Sequence, residues 1–387
     1  MPYNKVVMDG LLPDPGFSDK EDLKEKMSST FGSDGHVTKS AFVNICSAMV
    51  GANRKKTDDL TFIIPYSTSD EQRKWCMMAT VAWILCTTTA KIILFSAESE
   101  KTFKIFSSPE NLAPGASLTW EQFSGKDVSD EAKRRYIFTE IHNEICLKIM
   151  AAGLMKDEFN TIVHGDENFA NQFFQRVETI VETRKDDEPF HRTRYLNMML
   201  DKVGTNFVCN HDADTLLSSH GLMSSLSFLR FGLADVVYPY ERGIRSQKRL
   251  HFKEAAAPGP LNTLILTGDM SLLLHDDYGI LEWPASYGQS IILNTEKYKS
   301  VSGENEEFVS WGAEDLERYS RFVRLGLKVA RVDAPVVHLE HPRGADSSSL
   351  NKAFDKNEKL CQNILEMSTE ELQKYYGSIG YRKKYSW

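Results

Sequence analysis

Phe207-Val208-Cys209-Asn210-His211-Asp212-Ala213-Asp214 reads as a short buried strand that ends in two carboxylates one residue apart. Apolar, β-favouring residues lead into it, and Leu216-Leu217 follow directly behind. In an extended chain side chains alternate with period two, so Asp212 and Asp214 are expected on one face. Two acids on one face of a strand end repel each other and favour a cation; capped, solvated acids are the plainer alternative.

Moving outward, Leu60-Thr-Phe-Ile-Ile-Pro65 is an apolar run stopped by proline, as expected of the first strand of a parallel sheet. Helix-starting residues at 67–71 precede the apolar helix candidate Trp75–Leu85, and Lys91–Ser96 reads as a second strand. Strand, helix, strand makes a βαβ unit and an α/β fold. Phe190–Leu200 is a helix candidate leading into the acidic stretch. Beyond it lie a helix (Ser219–Phe231), a strand (Asp235–Tyr238), a basic loop (Arg242-Gly-Ile-Arg-Ser-Gln-Lys-Arg249) and short strands between 261 and 295. The basic loop is either a solvated surface or a lid facing an anionic substrate.

Three regions stand apart from this core. In residues 1–57, Asp19–Met27 and Val37–Met49 read as helices, a candidate docking or homodimer element. The Gly32-Ser-Asp-Gly35 turn between them lacks the alternating acids and closing glutamate of a calcium loop. Residues of about 100–188 read as a helical insertion, with three-to-four apolar spacing over Ser129–Met155 and Asn168–Thr183. Residues 346–387 read as a helical tail, leaving 58–345 as the main α/β domain.

Composition narrows the function classes. The 387 residues are 41% hydrophobic and 26% charged, and 46 basic against 54 acidic side chains give a net charge of −8. That balance argues against a broad nucleic-acid footprint. Six scattered cysteines form no Cys-x-x-Cys pair, as in a reducing compartment without a disulfide framework. No stretch approaches the roughly 20 apolar residues that span a bilayer, and no signal pattern opens the chain; a soluble, cytoplasmic protein is expected.

Two further clusters carry chemistry. In Val309-Ser-Trp-Gly-Ala-Glu-Asp-Leu-Glu317, Trp311-Gly312 forms a turn, and Glu314 and Asp315 sit at a helix entry. Acids there suit the helix dipole. A tryptophan beside a carboxylate also suits a sugar, whose ring stacks on indole while the acid takes a hydroxyl proton. In Val336-Val-His338-Leu-Glu-His341, two histidines follow a strand candidate; histidine and carboxylate together make a donor set for Mn²⁺.

The order Ile63-Ile64-Pro65, Phe190-x-Arg192-x-x-x-Leu196-Asn197, Asp212-x-Asp214, Trp311-Gly312-x-Glu314-Asp315 and His338-x-x-His341 resembles the β-1,4-galactosyltransferase superfamily and related bacterial chondroitin polymerases. The resemblance covers roughly 58–100 and 188–345. It implies a GT-A fold, a Rossmann-like αβα sandwich around a mostly parallel sheet, and a hexose moved from a UDP-sugar to an acceptor hydroxyl with inversion. By that resemblance Pro65, Tyr66, Ser67 and Arg192 line the nucleotide. Asp214 holds Mn²⁺ (or Mg²⁺) with Asp212 close by, and His341 and the weaker His338 complete the metal set. Asp315 is the catalytic base with Glu314 beside it, and Trp311-Gly312 belong to the sugar-site loop. Two departures stand out: Ala313 where the family carries a second glycine, and Ser67 where an arginine is common. The expected partners are a nucleotide-sugar donor and a carbohydrate or glycosylated acceptor. A catalytically silent carbohydrate-binding module, a glucosyltransferase of modified DNA bases and a metal nuclease are the competing readings. The last would want more carboxylates and a basic groove.

Overall fold

The computed structural model describes residues 55–67, 71–99, 175–185, 188–241, 247–250, 287–344 and 347–379. The expected N-terminal helices, the 129–155 helix and most of the basic loop lie outside these residues. Strand β1 (Leu60–Tyr66), helix α1 (Glu71–Thr87) and β2 (Lys91–Ser99) form the expected βαβ unit, with β1 parallel to β2. Every residue of β1 is buried, as a central parallel strand requires.

The stretch 177–184 corrects the expected helical insertion. Val177–Arg184 is strand β3, running parallel to β2. The three-to-four spacing misled, because Val177, Thr179, Val181 and Thr183 are β-branched and alternate, with Val177 and Thr179 buried. Helix α2 (Arg192–Lys202) then leads into β4 (Phe207–His211), β5 (Thr215–Leu217), helix α3 (Ser219–Arg230) and β6 (Val236–Tyr238). The end of the basic loop is also a strand, β7 (Gln247–Leu250). Next come β8 (Ser290–Asn294), α4 (Thr295–Ser300), α5 (Glu314–Arg324), β9 (Val329–Arg331) and β10 (Val336–Leu339). Two tail helices follow, α6 (Phe354–Glu366) and α7 (Thr369–Ile379).

Seven strands make the main sheet in the order β3-β2-β1-β4-β8-β6-β9. Only β8 runs antiparallel to its neighbours, so the architecture is α/β and Rossmann-like. The order reverses between β1 and β4, a topological switch point, and in such sheets ligands bind outside the carboxyl ends of the strands on either side. Those ends are Pro65–Ser67 and His211–Asp212. A second sheet, β5-β10-β7, sits against this point, with His338 of β10 in register with Thr215 of β5.

The tail helices pack on α5 and the loop before it. Phe308 shares an apolar cluster with Cys361, Ile364, Leu372 and Tyr376. Arg324 donates to the carbonyl of Ile364 at 2.9 Å, and the Tyr376 hydroxyl to Glu317 at 2.5 Å. No helix among the described residues is long and apolar enough to cross a membrane.

Candidate active site

Strand β4 ends at His211, and Asp212–Asp214 form the turn into β5, where the Thr215 N–H donates to the Asp212 carbonyl at 3.3 Å. The expected extended segment is therefore a turn, and the two carboxylates meet different partners. Thr80 of α1 fastens it, its hydroxyl donating to the Ala213 carbonyl at 3.0 Å. Asp212 accepts two bonds from Arg192, at 2.6 and 3.2 Å. Burial pushes the Asp212 carboxyl upward and Arg192 pulls it down, but the charges of Asp214 and Asp315 leave it above the ordinary range.

Asp214 belongs to the small-sheet side, where the Leu339 N–H donates to its carbonyl at 2.7 Å. Its carboxylate lies 2.8 Å from His341 Nε2 and 3.7 Å from His338 Nε2. Burial opposes its charge, yet His338, His341 and Arg73 hold it below the usual carboxylate range. Ligand atoms of Asp214, His338 and His341 all lie within 4.8 Å of one another, the one such group among the described residues. Each imidazole is oriented from behind. His341 Nδ1 donates to the Pro342 carbonyl at 2.9 Å, and His338 Nδ1 lies 3.2 Å from Glu340. One carboxylate and two imidazoles, each braced through its other nitrogen, fit a divalent ion of the Mn²⁺ class.

The second cluster opens α5. Gly312 has φ +133° and Ala313 has φ +63°, so the departure to alanine places a side chain in the left-handed region that glycine enters freely. Glu314 turns back and accepts from the Gly312 N–H at 2.8 Å, almost fully buried. Burial, then the charge of Asp315, push the Glu314 carboxyl from its ordinary 4.5 up to about 7, against the pull of Arg192. An acid raised on folding stabilises the fold below its unfolded pKa and loses that contribution as pH rises through the folded value. Its contribution is expected to decline between about pH 4.5 and 7. Glu314→Gln should flatten that part of a melting-temperature profile against pH, and an unchanged slope would refute the assignment.

Asp315 is the more accessible member, its side chain 34% accessible. Arg318 donates to its Oδ1 at 2.5 Å. Its Oδ2 faces Gly288, where an added Cβ would lie 2.3 Å away. Gly288→Ala is expected to displace this carboxylate and lower turnover by roughly ten- to a hundredfold. The melting temperature should hold, because the struck atom ends a side chain. Equal turnover would show that the carboxylate position is immaterial.

Trp311 is 40% exposed and stacks on Phe354 at 5.7 Å between ring centres. Asn351 donates to the Trp311 carbonyl at 2.7 Å, and Asn357 to the Val309 carbonyl at 2.9 Å. Just past the carboxyl end of β1, Ser67 accepts from Arg184 of β3 at 3.4 Å. A guanidinium thus reaches Ser67 across β2 from the edge strand of the sheet.

Residues 277–342, which span Gly288, Trp311, Asp315, His338 and His341, match the family model described as the N-terminal domain of galactosyltransferase. That stretch marks a glycosyltransferase resembling the galactosyltransferases. No curated protein matches the sequence. Among solved structures, S. aureus TarS 1-349 in complex with UDP-GlcNAc aligns over 84% of this chain and 76% of its own, at 11% identity and a TM-score of 0.40. The catalytic domain of Drosophila beta1,4galactosyltransferase 7 in complex with xylobiose aligns over 81% and 83%, at 13% identity and a TM-score of 0.35. Sequence reasoning missed Glu340, Arg318, Glu304 and Arg184. Glu340 and Arg318 carried a signal, sitting one and three residues from the predicted His341 and Asp315; the other two meet the site only through the fold.

Proposed function

We propose that this glycosyltransferase moves a hexose from a UDP-linked donor to an acceptor hydroxyl in a metal-dependent, inverting displacement. The carrying observation is that a braced Asp-His-His donor set and a carboxylate at a helix entry both lie near enough to Asp212, at the switch point, for Asp214 and Asp315 to raise its carboxyl electrostatically. Arg192 is bonded to Asp212 and electrostatically coupled to Asp315. The UDP donor follows from the family resemblance.

Asp214, His338 and His341 would hold the ion, which supplies Lewis-acid stabilisation to a diphosphate leaving group. Asp315 does the protein's own proton work. Arg318 ties its Oδ1, leaving Oδ2 to take the acceptor proton as the acceptor oxygen attacks the anomeric carbon from the face opposite the leaving group. One displacement with one base inverts configuration. Trp311 offers the open part of its indole to a sugar ring, and Arg192 and Arg184 are cations at the nucleotide side. Glu314, buried and bonded to the Gly312 N–H, sets the loop rather than meeting the acceptor.

The test is nucleotide release from a panel of UDP- and GDP-sugars, with and without Mn²⁺. Slow Mn²⁺-dependent release from one donor is expected. Absence of both turnover and metal-dependent binding for every donor would overturn the reading and favour a silent carbohydrate-binding module.

A further inference from the structure

We propose that Glu304 and Arg318 form a buried positioning pair that fixes the Asp315 carboxylate for proton removal; this rests on Asp315 being the base. Arg318 and Glu304 side chains are each 1% exposed, whereas Asp315 is open to the site. Arg318 Nη1 donates to both Glu304 oxygens, at 3.1 and 3.2 Å. Its Nη2 donates to the Tyr287 carbonyl at 3.0 Å and to Asp315 Oδ1 at 2.5 Å. The guanidinium is planar, so fixing one nitrogen on Glu304 fixes the direction from which the other meets Asp315.

Glu304 is itself held from several sides. The Tyr298 hydroxyl donates to Oε1, Asn210 Nδ2 donates to the same atom at 3.2 Å, and Asn197 brackets its backbone with two bonds of 2.8 and 2.9 Å. Asn210 also accepts from Arg192 at 3.1 Å, and Arg192 grips Asp212. One polar chain therefore runs from the acid at the end of β4 to the base on α5.

A buried ion pair often contributes less to stability than an apolar pair of the same volume, so its retention asks for another reason. The same helix carries a comparison. Arg321 and Glu317 are equally buried at 2.9 Å, but they bond to Val301 and Tyr376 and make no hydrogen bond to Asp315. That pair serves packing of the tail; the Glu304–Arg318 pair ends on the base.

The experiment compares E304Q/R318M, which leaves no unpaired buried charge, with E317Q/R321M, which does the same at the comparison pair. Three readouts are taken per folded molecule: Mn²⁺-dependent UDP affinity, turnover of the UDP-sugar that the panel identifies, and melting temperature. Turnover is expected to fall roughly a hundredfold in E304Q/R318M, with UDP affinity unchanged, while E317Q/R321M keeps its turnover. Unchanged turnover in E304Q/R318M, or a parallel loss of UDP affinity and turnover, would overturn the positioning role. Asp315→Asn separates the two readings: wild-type turnover in that variant would instead remove the base assignment itself.

Discussion

Replacing Asp315 by asparagine is expected to lower sugar transfer by roughly a hundred- to ten-thousandfold, while Mn²⁺-dependent UDP binding remains. Asparagine keeps an oxygen for the Arg318 bond seen at 2.5 Å, so geometry survives and only proton uptake is lost. Glu314 cannot take over. It is almost fully buried and held on the Gly312 N–H. Steady-state turnover together with UDP calorimetry makes the check. A variant as fast as wild type would assign the base to another group.

Asp214→Ala is expected to abolish the response to Mn²⁺ and to reduce turnover by a hundredfold or more, since even residues that merely orient a metal ligand cost about 10–100-fold. Asp214 is the one carboxylate in the donor group, and both histidines face it. Ion binding to the folded protein should raise its melting temperature, by about 2.7 kcal/mol of stability at a hundred times Kd. A Mn²⁺ titration followed by thermal melting should therefore show a rise in wild type and none in Asp214→Ala. The same rise in both proteins would place the ion elsewhere.

Much of this architecture was readable in the chain because its signals are local. An apolar run closed by Pro65 and a second ending at Asp212 mark the strands that flank the switch point. Asp214, Asp315, His338 and His341 were candidates by residue type and order, and the fold brings Asp214, His338 and His341 together. What escaped depends on pairing across distance. Val177–Arg184 carries apolar residues that satisfy a helical spacing, and its place beside β2 decided for a strand. Asp212 looked like the twin of Asp214, but a turn after His211 sends it to Arg192, 20 positions earlier. Glu304 sits in an acidic run that reads as solvated surface; only the return of α5 brings Arg318 over it.

The fastening of the Trp311 loop bears on where this enzyme can be cut. Asn351, Phe354 and Asn357 lie beyond residue 345, the expected end of the α/β domain, yet they hold the backbone at Val309 and Trp311 and cover one indole face. Within the described residues, no bond of the main sheet crosses that boundary. A fragment ending at 345 would keep every strand among the described residues and both acidic clusters, while the Trp311 loop lost its backing. The same cut would strip Phe308 of its apolar partners and Glu317 of the Tyr376 hydroxyl, so the tail backs the loop and the fold together.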